Sequence, residues 1–268
     1  MKSSYKEYYR EDAEIEVKII EHITTRLKRV NSFLKMVKKT HPEAINGIID
    51  TLEEKFSHTP VIPQLYDNEF SVLSVYPNLQ DKIVNTIWNY MNLPSNILDE
   101  TQQTSINVKD YLRSYLLILY TLAKSLETIM SHDDAIDYFQ AYIDQNTRKE
   151  RDPTKYLKEL ADIPTEEFQR MYQSHNFVEF KIHSGKQGTK ITKCKWYEVM
   201  KDLNEPDISY AVCCYYDFEA TKNMNPNFVL TRKKTIMQGD DYCDFCDHDI
   251  RIEHAVEHPP EVFWKTLE

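Results

Sequence analysis

The chain has 268 residues, 41% hydrophobic and 28% charged, with a formal net charge of −10. That length can bury a substantial core in one large domain or two small ones, and the composition is that of a globular chain rather than a disordered one. The negative balance argues against nucleic acid as a partner, and no apolar run approaches the ~18 residues of a membrane span, so no membrane is expected either.

The first eleven residues are too polar for a signal peptide. With no export signal, the five cysteines read as reduced thiols in a cytoplasm. Their odd number, crowded between Cys194 and Cys246, suits no disulfide framework. The four glycines form no G-x-G-x-x-G or G-x-x-x-x-G-K-[ST] loop. A nucleotide-binding fold is therefore not expected, and no cofactor is implied.

Ile15, Ile19, Ile23, Leu27, Val30, Leu34 and Val37 step by three and four, predicting one amphipathic helix over about 10–39, stopped by Pro42. Its apolar stripe packs internally or pairs two copies, which leaves a homo-oligomer through the N-terminal helices open. Lys28, Arg29, Lys35, Lys38 and Lys39 suit the C-terminal end of the helix dipole and read as a solvated face. A second helix is predicted over about 42–56, and Pro60 and Pro63 mark a loop. Helices follow over about 78–92, 107–130, with Asn107 as N-cap, and 132–146. His132-Asp133-Asp134 opens the last of these, where acids complement the dipole. Residues 146–153 read as a polar linker, and a short helix follows Pro164.

The period then changes. Phe177 to Ile182 alternates in twos, residues 184–188 form a turn, and Thr189 to Cys194 is the partner strand. Trp196 to Leu203 fits a short helix. Ile208 to Phe218, rich in aromatic and apolar residues, predicts a central strand carrying Cys213, Cys214 and Asp217. Phe228 to Met237 and Tyr242 to Ile250 predict two strands about a turn at 238–241, with Gly239 at positive φ. The expected fold class is α+β. A helical domain at 1–150 packs on a small antiparallel β-sheet domain at 151–268 of order β-β-α-β-β-β.

The chemistry concentrates in Gly239-Asp240-Asp241-Tyr242-Cys243-Asp244-Phe245-Cys246-Asp247-His248. Zinc would need Cys243 and Cys246 within about 4.6 Å of each other. On a strand, residues three apart face opposite ways, about 10 Å apart. The alternation of Tyr242, Asp244, Cys246 and His248 against Cys243, Phe245 and Asp247 favours a strand. The surrounding aspartates disfavour a thiolate at Cys243. Arg232, roughly opposite Cys246 and Asp247, and His248 are the natural compensators. Arg232 either pairs with one of these aspartates or grips a substrate carboxylate. His254-Ala-Val-Glu257-His258 matches an H-x-x-E-H metal motif, but Pro259-Pro260 follows at once, where a helix would be needed.

The segments Cys214-Tyr-Tyr-Asp217, Leu230-Thr-Arg232 and Thr235 to Phe245 resemble the L-2-amino-thiazoline-4-carboxylic acid hydrolase family. The resemblance runs from about Phe177 to His248. It implies opening of the thiazoline ring of 2-amino-thiazoline-4-carboxylate by water, a small-molecule substrate, to give N-carbamoyl-cysteine. It also implies site residues. Cys243 or Cys214 would be the nucleophile, and Asp217 or Asp244 would bind the protonated amidine. Arg232 would hold the carboxylate and His248 would move protons, with Asp240 and Tyr242 beside the substrate. Two other readings stand beside it. One is a metal-binding module using Cys194, Cys214, Cys243, Cys246 and His248. The other is a non-catalytic small-molecule sensor.

Overall fold

The structure, a computed structural model, describes residues 2–56, 70–93 and 103–267. Contacts divide the chain into one unit of Glu14–Tyr142 and another that joins the segment up to Ala13 to Ile143–Glu268. In chain order the elements are β1 (Lys2–Glu7), β2 (Glu14–Lys18), α1 (Ile19–Thr40), α2 (Ile45–Lys55), α3 (Pro77–Tyr90), β3 (Gln103–Asn107), α4 (Val108–Ser125) and α5 (His132–Lys149). They continue with α6 (Thr165–Tyr172), β4 (His175–His183), β5 (Lys186–Cys194), α7 (Lys195–Met200), α8 (Pro206–Cys213), α9 (Tyr216–Met224), β6 (Phe228–Thr231), β7 (Cys243–Asp249) and α10 (Glu261–Lys265). The loop expected at Pro60 and Pro63 lies outside the described residues.

The unit of Glu14–Tyr142 is built on helices whose ends follow local chemistry. Pro77 opens α3, where its missing N–H costs nothing. The Asn107 side chain accepts the Lys109 N–H at 2.8 Å, capping α4 as its sequence predicts. The stripe of α1 is buried at Ile23, Leu27, Val30, Leu34 and Val37. The half is not all-helical, however. β2 pairs antiparallel with β3, setting Ile15 opposite Ile106 and Val17 opposite Thr104. Glu14-Ile-Glu-Val-Lys alternates in twos, a strand signal hidden because Ile15 also fits the helical stripe; α1 therefore starts at Ile19 rather than near 10. Among the described residues no helix is long and apolar enough to cross a membrane.

The other unit carries a five-stranded antiparallel sheet in the order β1-β4-β5-β7-β6, so the fold class is α+β. Residues 2–7, which the sequence reading left with the helical half, form its edge strand beside β4. The central strand expected at Ile208 to Phe218 is instead α8 and the start of α9. Pro206 sits at the first turn of α8, and Ile208, Ala211 and Val212 are buried at helical steps of three and four. A short apolar run fits either a buried strand or a buried helix, and here the proline start decides. The unit thus runs β-β-α-α-α-β-β, with β1 added from the N-terminus, rather than β-β-α-β-β-β.

β6 and β7 pair antiparallel, but β6 ends at Thr231, well short of Met237, and Cys246 lies opposite Thr231. A long connection follows, with a 3-10 turn over Ile236–Gln238 and Gly239 at φ 95°. Pairing of Phe245 with Thr189 and of Asp247 with Gln187 fixes the faces of β7. Cys243, Phe245 and Asp247 share one face; Asp244, Cys246 and His248 share the other. That second face is sealed by the C-terminal segment, where Val178, Phe180, Tyr242, Cys246, Trp264 and Leu267 form one apolar cluster. Gly188 makes this possible: a Cβ there would lie 2.6 Å from Cζ of Phe180, whose ring crosses the strand.

Candidate active site

Arg232 leaves β6 on the first face of the sheet. Its guanidinium carbon lies 4.7 Å from the ring centre of Phe245, 5.0 Å from that of Phe218 and 5.3 Å from that of Tyr210. Nη1 donates to Oδ2 of Asp217 at 2.6 Å, and Nη2 donates to the Cys214 carbonyl at 2.8 Å and the Tyr210 hydroxyl at 3.3 Å. The side chain is 1% exposed. Burial works against its charge, but Asp217 raises the Arg232 pKa well above the usual guanidinium range.

Asp217 stands in the first turn of α9, where an acid suits the helix dipole. Glu219, buried on the same helix, fixes α9 by accepting from Arg148 at 3.1 Å, Arg151 at 2.8 Å and Lys222 at 2.7 Å. Burial raises the Asp217 pKa above the usual carboxylate range, and Arg232 offsets only part of that rise. The guanidinium at 2.6 Å favours the charged form of the carboxylate. The Asp217 side chain is 35% exposed.

Asp247 lies on the same face of β7 and lines a cavity of about 280 Å³ with Ser4, Thr165, Glu179, Lys181, Gln187 and Thr189, among others. That is near the lower end of small-molecule sites. Gln187 Nε2 donates to the Leu160 carbonyl at 2.6 Å, holding the segment that carries Ala161 and Ile163 at the cavity wall. Burial, with the charge of Asp217 adding to it, pushes the Asp247 pKa up to about 7. A carboxyl group that titrates near neutrality beside an ion-paired neighbour is the usual arrangement of an acid–base pair.

All five cysteines are free thiols. Cys194, Cys214 and Cys243 each sense the charge of Asp217, and Cys214 and Cys243 also sense Arg232. Cys213 and Cys214 end α8 rather than lying on a strand. Cys243 Sγ accepts the Ile236 N–H at 3.3 Å, and burial pushes its pKa up to about 12. Cys214 is likewise pushed well up by burial. Both are neutral thiols at physiological pH.

Cys214, Asp217, Arg232 and Cys243 therefore come together. The other expected site residues do not join them. Asp244 and His248 point to the opposite face. There Asp244 accepts the N–H groups of Lys233 at 2.8 Å and Lys234 at 2.7 Å. His248 is fully buried, and burial pulls its pKa down to about 4. Tyr242 is part of the apolar cluster on that face. Asp240 closes the connecting turn by accepting the Thr235 N–H at 2.9 Å. The ion pair of Arg232 is with Asp217 from α9, not with an aspartate of 240–249. Among the described residues no three His, Cys, Asp or Glu side chains are arranged to hold a metal ion. Residues 254–258 are not helical, so H-x-x-E-H presents no ligand pair.

In the sequence Asp247 reads only as one of the acids around Cys243 and an ion-pair partner for Arg232, not as a site residue. Its signal was present in the alternation that sets it beside Phe245 and opposite Asp244. Glu179 and Lys181 carried no signal, because their meeting with β7 depends on the pairing of three strands.

No curated protein and no solved structure matches the chain. The family model described as L-2-amino-thiazoline-4-carboxylic acid hydrolase matches residues 113–246, half of the chain, a span that holds Asp217, Arg232 and Cys243. The chain belongs to the L-2-amino-thiazoline-4-carboxylic acid hydrolase family.

Proposed function

We propose that this chain is a hydrolase that adds water to a small cyclic amino-acid derivative and breaks a C–S or C–N bond, with 2-amino-thiazoline-4-carboxylate, the compound in the family's description, as the first substrate to test. The observation that carries the reading is Asp247, held near pKa 7 at the wall of a small cavity and biased by the Arg232-paired Asp217.

The cavity suits a zwitterionic ligand. Glu179 and Lys181 are two apart on β4 and so project from one face, about 6–7 Å apart along the strand. Lys181 takes the substrate carboxylate and Glu179 the protonated isothiourea. Asp247, as general base, removes a proton from water while the water oxygen bonds to the ring carbon between nitrogen and sulfur. The C–S bond of the tetrahedral adduct then breaks, and Asp247 returns the proton to the leaving sulfur. The sum is substrate plus one water, giving a ureido acid with a free thiol. Arg232, already engaged, keeps Asp217 oriented instead of gripping the substrate. The neutral thiols of Cys214 and Cys243 stand with Arg232 and Asp217 and supply no thiolate. Five unpaired thiols fit a reducing cytoplasm.

Incubation with 2-amino-thiazoline-4-carboxylate followed by mass spectrometry tests the reading. A product heavier by one water supports it. Unchanged substrate at high protein concentration overturns it for this compound.

A further inference from the structure

His258 lies outside the span matched by the family model, in the segment after β7, yet it is tied to the sheet beneath Arg232. Its Nε2 lies 3.0 Å from Oδ2 of Asp244, and because a carboxylate only accepts, His258 is the donor. Its Nδ1 lies 2.9 Å from the Thr231 hydroxyl, which also meets His248 Nε2 at 2.9 Å. The His258 ring stacks on Trp264 at 5.3 Å and 17°. Asp244 and His258 are 3% and 4% exposed, so no solvent competes for these bonds.

The far end of this chain of contacts reaches the active face. The other oxygen of Asp244, Oδ1, accepts the backbone N–H groups of both Lys233 and Lys234. Those residues directly follow Arg232, and Thr231 directly precedes it. The backbone on each side of Arg232 is thus pinned from the sealed face of the sheet, while its side chain reaches Asp217 on the other. A buried aspartate with one oxygen on two amides is held in place only while its second oxygen is also satisfied.

We infer that His258 is a positioning residue: by holding Asp244 against the Lys233 and Lys234 amides, it sets the Arg232–Asp217 pair on the opposite face of the sheet. This rests on the function proposed above, and the test separates the two. His258→Phe keeps the stacking on Trp264 and removes both hydrogen bonds. His258→Gln retains a donor for Asp244. In the Phe variant, amide hydrogen exchange at Lys233 and Lys234 accelerates ~10-fold or more, while the amides of β4 and β5 that pair with each other keep their parental rates. Ring-opening kcat falls ~10-fold or more with KM little changed, and the Gln variant recovers part of both. Unchanged exchange at Lys233 and Lys234 in a folded Phe variant overturns the inference, whether or not the parent protein turns over substrate. Faster exchange with unchanged kcat overturns the link from His258 to the reaction. Uniform acceleration across the sheet also overturns it, since His258 would then hold the fold and not the site.

Discussion

Asp247 on β7 and Asp217 at the start of α9 come from elements thirty residues apart in sequence, yet the charge of Asp217 helps to hold the Asp247 pKa near 7. Asp217 is itself paired with Arg232, 2.6 Å away. One carboxyl group is thus engaged in an ion pair and the other left free to exchange a proton near neutral pH, and the predictions below follow from that division.

The first concerns pH and stability. Asp247 titrates at 3.8 in the unfolded reference and at about 7 in the folded chain, so the folded state binds the proton more tightly. Stability is then highest below about pH 4 as far as this group is concerned, and falls as pH rises towards about 7. Asp247→Asn removes the titration. Urea midpoints at about pH 5 and about pH 8 should converge in that variant relative to the parent, with the gain at the higher pH.

The second concerns the ion pair. Asp217→Asn leaves a guanidinium that is 1% exposed without its charge partner. Breaking a buried pair from one side costs about 3 kcal/mol or more, and the retained amide and the Cys214 carbonyl place this case at the low end. Chemical denaturation checks the figure. Losing the charge of Asp217 also lowers the Asp247 pKa, so the pH–rate profile shifts to lower pH.

The third separates water from thiol as the attacking group. Cys243, pushed up to about 12 by burial, is not a resting thiolate. Cys243→Ala retains turnover within about tenfold of the parent, because no attacking group is removed. Steady-state kinetics check this, and loss of turnover by several orders of magnitude in a folded variant would assign the attack to the sulfur.

Much of this was legible from sequence where a local rule operates alone. Asn107 caps α4 and Gly239 takes positive φ because those residue types meet those backbone demands. The alternation across Tyr242 to His248 gives β7 and sends Cys243 and Cys246 to opposite faces, which removes the C-x-x-C metal reading. Ile208 to Phe218 misled because apolar content does not distinguish a buried helix from a buried strand; Pro206 was the better signal. β1 offered no apolar alternation at all, and its place depends on β4. In the site, charge logic singled out Arg232 and the family resemblance supplied Cys214, Asp217 and Cys243, but the expected pairing of Arg232 with an aspartate of 240–249 gave way to Asp217. Asp244 and His248 were also expected there, although the same alternation sets both on the face opposite Cys243.

A fourth prediction tests the register. Gly188→Ala drives a methyl group into the Phe180 ring and the Phe245 carbonyl, the backbone next to the Arg232 stacking surface. Stability should fall by roughly 1–3 kcal/mol in thermal or chemical unfolding, the usual cost of overpacking.

The central claim, that Asp247 moves the proton in a hydrolytic ring opening, is tested most directly by following free-thiol release from 2-amino-thiazoline-4-carboxylate as a function of pH, in the parent and in Asp247→Asn. The account predicts one thiol per substrate consumed, a rate rising with pH to a plateau above about 7, and a loss of ~100-fold or more in the variant. An undiminished rate in a folded Asp247→Asn protein would contradict it.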